Sequence, residues 1–60
     1  MNKEQIREIR LAAHLLQKEF GALIGVSACT VSAWETGRAV ASIPHQRKLI
    51  EFCQRYGIEL

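Results

Sequence analysis

The most reactive side chains in this sequence are two cysteines and two histidines, which lie far apart along the chain. Cys29 and Cys53 form no Cys-x-x-Cys pair, and neither His14 nor His45 has a nearby histidine partner. A metal site needs several ligands at a suitable spacing. The sequence therefore predicts no metal and no cofactor. It predicts Cys29 as a small filler side chain, Cys53 in the core, and both histidines at the surface or at helix ends.

An enzyme is disfavoured by the same inventory. All six acidic residues are glutamates. There is no plausible set of nucleophile, base and orienting group, no glycine-rich loop that could hold a phosphate, and no room for a pocket-sized interior. The sequence favours a binding protein over a catalyst.

Length and composition predict one small domain. The chain has 60 residues, of which 48% are hydrophobic and 23% are charged, and a domain of this size has a marginal core. No run approaches the ~18 apolar residues of a membrane span, and no signal peptide is recognisable. We expect a cytoplasmic protein with reduced thiols. The net charge of +2 permits an anionic partner without requiring one.

Caps and glycines divide the chain into helices. The first is predicted over about residues 3–13, because Asn2 is a good N-cap and Gln5 completes a capping box. The second is predicted over residues 17–24 and ends at Gly25, where a left-handed residue is expected.

Two further helices follow. The third lies between a cap at Ser27 and a stop at Gly37. The fourth begins at Ser42 or His45 and ends at Gly57. Its predicted apolar face consists of Leu49, Phe52, Cys53 and Tyr56. The alternative of a strand over residues 39–43 is weak, so the sequence indicates an all-α chain.

Residues 17–36 are the most informative segment. Two short helices are joined by a tight turn at Gly25, and the small residue Gly21 stands where a crossing helix must come close. The apolar residues expected to make buried contacts here are Phe20, Ile24, Val26, Val31 and Trp34, and Leu23 joins Phe20 and Ile24 in the apolar stripe of the second helix. A sharp turn, a close crossing and buried contacts that set the angle are what a DNA-binding helix-turn-helix requires.

Part of the chain shows a resemblance to a known family. It covers residues 6–38, IREIRLAAHLLQKEFGALIGVSACTVSAWETGR. This string resembles the phage-repressor, or Cro- and Xre-like, helix-turn-helix family in its Gln-Lys-Glu-Phe opening, its Ile-Gly-Val-Ser turn and its Thr-Val-Ser-x-Trp-Glu-x-Gly-Arg close. The resemblance implies a lambda-repressor-like fold of four helices, or four and a partial fifth turn, over residues 1–60.

The same resemblance implies a function. It implies double-stranded DNA as the partner, bound by a homodimer, and a role as a transcriptional regulator or repressor of bacterial, phage or mobile-element type, located at the nucleoid. Arg10 and Glu35 match a buried ion pair that joins the first helix to the end of the third, and Arg10 indeed lies on the apolar side of its helix. The residues expected to contact DNA are Gln17, Lys18, Ser27, Ala28, Cys29, Thr30, Ser32, Ala33, Thr36 and Arg38.

The third helix departs from the family pattern by lacking Arg, Asn and Gln, which are the bidentate readers of base edges. Ala28 and Ala33 can contact thymine methyl groups, and Ser27, Thr30 and Ser32 can each make single hydrogen bonds. Sequence choice would then depend on DNA shape or on phosphate contacts. The residues expected to make phosphate contacts are Gln17, Lys18, Arg38, Arg47 and Lys48.

Two departures affect stability. Leu16 replaces the usual Ser or Thr cap of the second helix, with the loss of a hydrogen bond worth about 1 kcal/mol. Gly21 stands where Ala is usual, at a cost of roughly 0.5–1 kcal/mol.

A protein-interaction module, such as an antitoxin or assembly domain, is the alternative function. The surface that would carry its partner is predicted at Phe52, Tyr56, Ile58 and Leu60. Binding through an apolar surface would be nearly insensitive to salt, whereas DNA binding would not.

Overall fold

The computed structural model of the chain describes residues 1–59. Over that range it has four helices, α1 (Lys3–Ala12), α2 (Gln17–Ile24), α3 (Ala28–Thr36) and α4 (Ile43–Tyr56). No strand occurs in this part of the chain, and residues 58 and 59 do not continue as a fifth helical turn. The all-α prediction is confirmed, and α1 ends one residue earlier than expected. None of the four helices is both long and apolar enough to cross a membrane.

The starts of α1 and α3 follow the predicted caps. The Asn2 side-chain oxygen accepts from the Gln5 N–H at 2.8 Å, and the Gln5 side chain accepts from the Asn2 N–H at 2.9 Å. The Ser27 hydroxyl accepts from the Thr30 N–H at 3.1 Å. Each contact satisfies a backbone donor that the helix itself leaves free.

The N-cap residues of α2 and α4 make different contacts. Leu16 has no cap oxygen, as predicted, but the Glu19 carboxylate accepts from the Leu16 N–H at 2.9 Å. Half of a capping box therefore remains at α2. Ser42 is the N-cap residue of α4, and its hydroxyl lies 2.8 Å from His45 Nδ1 instead of bonding to the backbone.

The link between α1 and α2 contains a left-handed residue that is not a glycine. His14 has φ 58°. Its N–H donates to the Leu11 carbonyl at 3.0 Å, and the Leu15 N–H donates to the Arg10 carbonyl at 3.2 Å. The conformation reverses the chain and turns Leu15 partly inward against the core.

The turn between α2 and α3 depends on two glycines. Gly25 has φ 90°, and the N–H groups of Gly25 and Val26 both donate to the Gly21 carbonyl, at 2.7 and 2.8 Å. A Cβ atom on Gly21 would lie only 2.6 Å from the Val26 carbonyl oxygen. The close approach predicted at Gly21 is therefore present, and it is an approach to the turn backbone.

All four helices contribute to one apolar core. Phe20 and Phe52 meet edge to face, with ring centroids 5.1 Å apart. The buried residues are Ile6, Ile9, Phe20, Ile24, Val31, Trp34, Ala41, Leu49, Phe52 and Cys53. Most of the predicted core is confirmed, and Ala41, from the α3–α4 connection, joins it.

Two residues of the predicted apolar faces are exposed. Leu23 is 54% exposed and Tyr56 is 47% exposed. The buried side of α2 consists of Phe20, Gly21 and Ile24, and Leu23 lies about 100° around the helix from Ile24 and about 160° from Gly21. Tyr56 lies in the last turn of α4 and stacks on Phe52 at 4.2 Å, so its other face stays in solvent.

Candidate nucleic-acid interface

Helix α3 has two clearly different sides. Val31 and Trp34 are 0% and 3% exposed and face the core. At 100° per residue, the remaining outward positions span an arc of about 140° on the opposite side. These positions are Ala28, Cys29, Ser32, Ala33 and Thr36. Cys29 and Thr36 are exposed, and the other three are half-buried. The structure thus brings five of the predicted contact residues onto one face of α3, which we call the α3 outer face.

Ser27 and Thr30 are placed differently. The Ser27 hydroxyl accepts the Thr30 N–H, and the two hydroxyl oxygens lie 3.1 Å apart. Both side chains are therefore engaged in the cap of α3, where they hold its first turn. The structure does not place them on the α3 outer face.

The C-terminal end of α3 carries a cation. The Thr36 hydroxyl donates to the Ser32 carbonyl at 2.9 Å, and Arg38 Nε lies 3.4 Å from the Thr36 oxygen. A positive charge is favourable beside the free carbonyl groups at a helix C-terminus. The Ser32 hydroxyl itself has no hydrogen-bond partner among residues 1–59.

The Arg10 and Glu35 side chains form a two-point contact. Arg10 Nε donates to Glu35 Oε2 at 2.7 Å, and a second guanidinium nitrogen donates to Glu35 Oε1 at 3.0 Å. The third nitrogen donates to the Leu15 carbonyl at 3.0 Å. Hydrogen bonding to Glu35 raises the pKa of Arg10 further above its ordinary value, which outweighs the opposing effect of burial.

Gln17 joins this network from the first residue of α2. Its amide nitrogen lies 3.4 Å from Glu35 Oε1, which orients the side chain next to the end of α3. An amide nitrogen carries two hydrogens, so one remains for an external acceptor. Lys18 is exposed and extends from the same turn of α2.

Lys3 is a cation at this site that the sequence did not predict. A Cβ atom on Gly37 would lie 3.4 Å from Lys3 Cδ and 3.9 Å from its Nζ, so the Lys3 side chain crosses Gly37 at the end of α3. Lys3 therefore lies against Gly37, the residue that precedes Arg38. The only available signal was a cation in the first turn of α1, where the helix dipole disfavours it.

The cations expected to bind phosphate do not all lie on one surface. Lys48 Nζ lies 3.5 Å from the Cβ position of Gly25, at the opposite end of α2 from Gln17. Lys48 and Arg55 both line a groove of about 350 Å³ between α2 and α4, with Leu23 and Tyr56 at its apolar part. Lys48 thus belongs to a different surface from Arg38.

The residues predicted to bind a protein partner differ in exposure. Phe52 is only 6% exposed and belongs to the core, and Ile58 is half-buried and packs against the core. Leu60 lies outside the described residues. The exposed apolar residues in that region are Tyr56, from the predicted set, and Leu23.

Neither cysteine takes part in a metal site. Cys29 is exposed and Cys53 is buried, and both are free thiols. Within residues 1–59 no group of three or more His, Cys, Asp or Glu side chains could hold a metal ion.

Comparison with known proteins identifies the family. No curated protein and no solved structure matches the chain. A family model described as Helix-turn-helix matches residues 6–60, which include α2, α3, the turn between them and the Arg10–Glu35 pair. The chain therefore belongs to the Cro- and Xre-like helix-turn-helix family of DNA-binding regulators.

Proposed function

We propose that this chain is a sequence-preferring transcriptional regulator that docks α3 in the major groove of double-stranded DNA. The observation that carries the proposal is the α3 outer face, which lies opposite Val31 and Trp34 in a chain whose family binds DNA. A nine-residue helix is about 14 Å long and can enter the major groove.

Phosphate contacts around the C-terminal end of α3 would orient the helix. Gln17 offers a free amide hydrogen at the start of α2, where backbone N–H groups also favour an anion. Arg38 and Lys3 offer cations at the end of α3. Such contacts set the register of a protein on DNA, and base contacts then supply the specificity.

A dimer is part of the proposal. One small domain neutralises few phosphates, so tight binding requires two copies on half-sites about 34 Å apart. The bound sequence would then be roughly palindromic. Repression follows where such a site overlaps a promoter.

The test is a titration of the protein against randomised duplex DNA at two salt concentrations, followed by sequencing of the retained fraction. We expect affinity to fall steeply with salt, since the slope of log K against log salt is about −0.9 for each phosphate neutralised. We also expect a palindromic motif to be enriched. Absence of binding at low salt would contradict the proposal.

Two sets of variants test which residues carry the binding. Gln17→Ala combined with Arg38→Ala should abolish DNA binding and leave the melting curve nearly unchanged. Arg55→Ala is the matched control, because Arg55 is an exposed cation on the α2–α4 groove, which no residue of α3 lines. Unchanged affinity in the double variant would remove both residues from the site.

The α2–α4 groove supports a second candidate function, protein interaction. Leu23 is 54% exposed and Tyr56 is 47% exposed beside it, which is a feature of partner-binding surfaces. The Leu23→Ser variant should lose a partner that binds here. The affinity of the unchanged protein for that partner should depend little on salt. DNA binding would not change in that variant.

A further inference from the structure

The α3 outer face contains no side chain that can make paired hydrogen bonds to a base edge. Ala28, Cys29 and Ala33 present methyl groups and a thiol, which are apolar or nearly so. Ser32 and Thr36 are the polar residues of this face, each with a single hydroxyl. Paired hydrogen bonds from Arg, Asn or Gln are the usual means of reading guanine and adenine in the major groove, and this face has none of them.

The nearby hydroxyl groups make hydrogen bonds within the protein. Ser27 accepts the Thr30 N–H, and the hydroxyls of these two residues contact each other at 3.1 Å. The Thr36 hydroxyl donates to the Ser32 carbonyl at 2.9 Å. These contacts occupy the Thr36 hydrogen and one of the two hydroxyl hydrogens of Ser27 and Thr30, so fewer single hydrogen bonds to bases are available than the sequence alone suggested.

Resting on the proposed docking of α3, we infer that this helix distinguishes base pairs chiefly by the C5 methyl group in the major groove. The DNA it selects is then a duplex with thymine at the contacted positions, for which 5-methylcytosine is a chemical equivalent. The C5 methyl is the apolar group that a base presents in this groove, and Ala28, Cys29 and Ala33 are apolar partners for it.

The same face disfavours a base pair that lacks the methyl group. A T·A pair and a C·G pair both present polar groups in the major groove, and Ala28 or Ala33 docked over either would remove water without replacing its hydrogen bonds. This cost falls on both pairs and does not separate them. Discrimination thus comes from the methyl contact, which an unmethylated C·G pair cannot make.

The test uses the enriched duplex in forms that differ only at C5. Replacing thymine by uracil removes the methyl group and keeps every base-pairing atom. We expect binding to weaken about fourfold for each contacted methyl, and therefore tenfold or more for a whole site. Changing contacted T·A pairs to C·G should weaken binding, and 5-methylcytosine at those positions should restore part of it.

Two variants separate methyl contact from a change in DNA flexibility. Cys29→Ser replaces the exposed thiol with a hydroxyl of similar size and should lower the preference for thymine over uracil. Ala22→Ser is the control, because Ala22 is exposed on the α2–α4 groove, and it should keep the full preference. A preference that survives Cys29→Ser unchanged would overturn the assignment to this face.

Failure of the inference and failure of the proposed function give different results. Equal binding of the thymine and uracil duplexes, with a motif still enriched, would overturn methyl recognition and leave the DNA-binding regulator intact. No binding of any duplex at low salt would overturn the proposed function and this inference with it.

Discussion

Arg10 Nε lies 2.7 Å from Glu35 Oε2. This contact joins α1 to α3, although the two residues are 25 positions apart in the sequence. The two side chains are only 12% and 5% exposed. Because a second guanidinium nitrogen contacts the other carboxylate oxygen, the pair fixes orientation as well as distance. The same carboxylate holds Gln17, so this contact positions the start of α2 against the end of α3, where the proposed phosphate contacts lie.

Glu35→Gln should be strongly destabilising. It leaves the Arg10 guanidinium largely buried without its counter-charge, which costs about 3 kcal/mol for a buried pair and lowers the melting temperature by about 10 °C or more in a chain of this size. Thermal melting followed by circular dichroism measures the effect. Glu51→Gln is the control, because Glu51 is exposed, and it should change stability by less than about 0.5 kcal/mol.

A double variant tests the cause of that loss. Arg10→Met with Glu35→Leu removes both charges and should recover much of the stability, because hydrophobic residues can replace a buried ion pair. The double variant melting as low as Glu35→Gln would mean that the lost hydrogen bonds of the pair, not an unpaired charge, are responsible.

An aspartate should disrupt folding at one position of α3 and DNA binding at the next. Val31→Asp buries a carboxylate at a site that is 0% exposed and should unfold the domain. Ser32→Asp places the charge on the α3 outer face, so the fold should survive while repulsion from phosphates abolishes DNA binding. Circular dichroism and a DNA titration report the two effects. A folded Val31→Asp variant would contradict the observed packing of α3.

The helix pattern could be predicted from the sequence because its signals are local. Asn2, Ser27, Gly25 and Gly37 cap or end helices through contacts within four residues along the chain, so residue type and spacing suffice. The Arg10–Glu35 pair was also expected, from the family resemblance and from the position of Arg10 on the apolar side of α1.

The features that were not predicted depend on tertiary packing. The exposure of Leu23, the inward turn of Leu15 and the burial of Ala41 follow from how the helices cross and connect. Lys3 reaches Gly37 only because α1 lies beside the end of α3. The left-handed His14 has no local signal at all, since glycine or asparagine is the residue usually found there.

Gly21→Ala should destabilise the domain although alanine favours helices. Helix propensity alone predicts a gain of about 1 kcal/mol. The new Cβ would lie 2.6 Å from the Val26 carbonyl oxygen and 3.2 Å from the Ser27 carbonyl group, both of which are backbone atoms. Overpacking of this kind costs about 1–3 kcal/mol, so we expect a net loss of roughly 1 kcal/mol in urea unfolding. A more stable variant would show that the turn can move away.

The contribution of Cys53 to stability should depend on alkaline pH. Burial raises the pKa of the Cys53 thiol, because the thiolate loses its hydration in the core. The folded protein then holds this proton more tightly than the unfolded chain. The contribution of Cys53 to the free energy of unfolding is complete below the ordinary thiol pKa of about 8.5. It is lost progressively as the pH rises above that value.

Cys53→Ala isolates this effect, because it removes the titrating group and leaves the others unchanged. The variant should be less stable near pH 7, since it leaves a small cavity in the core. The difference in unfolding free energy between the two proteins should narrow by pH 10, where the native thiol works against folding. Urea unfolding at both pH values, with reducing agent present, measures this difference in unfolding free energy. Groups that titrate in both proteins cancel in the difference, so a gap of equal size at pH 7 and pH 10 would show that the thiol is not held neutral by burial.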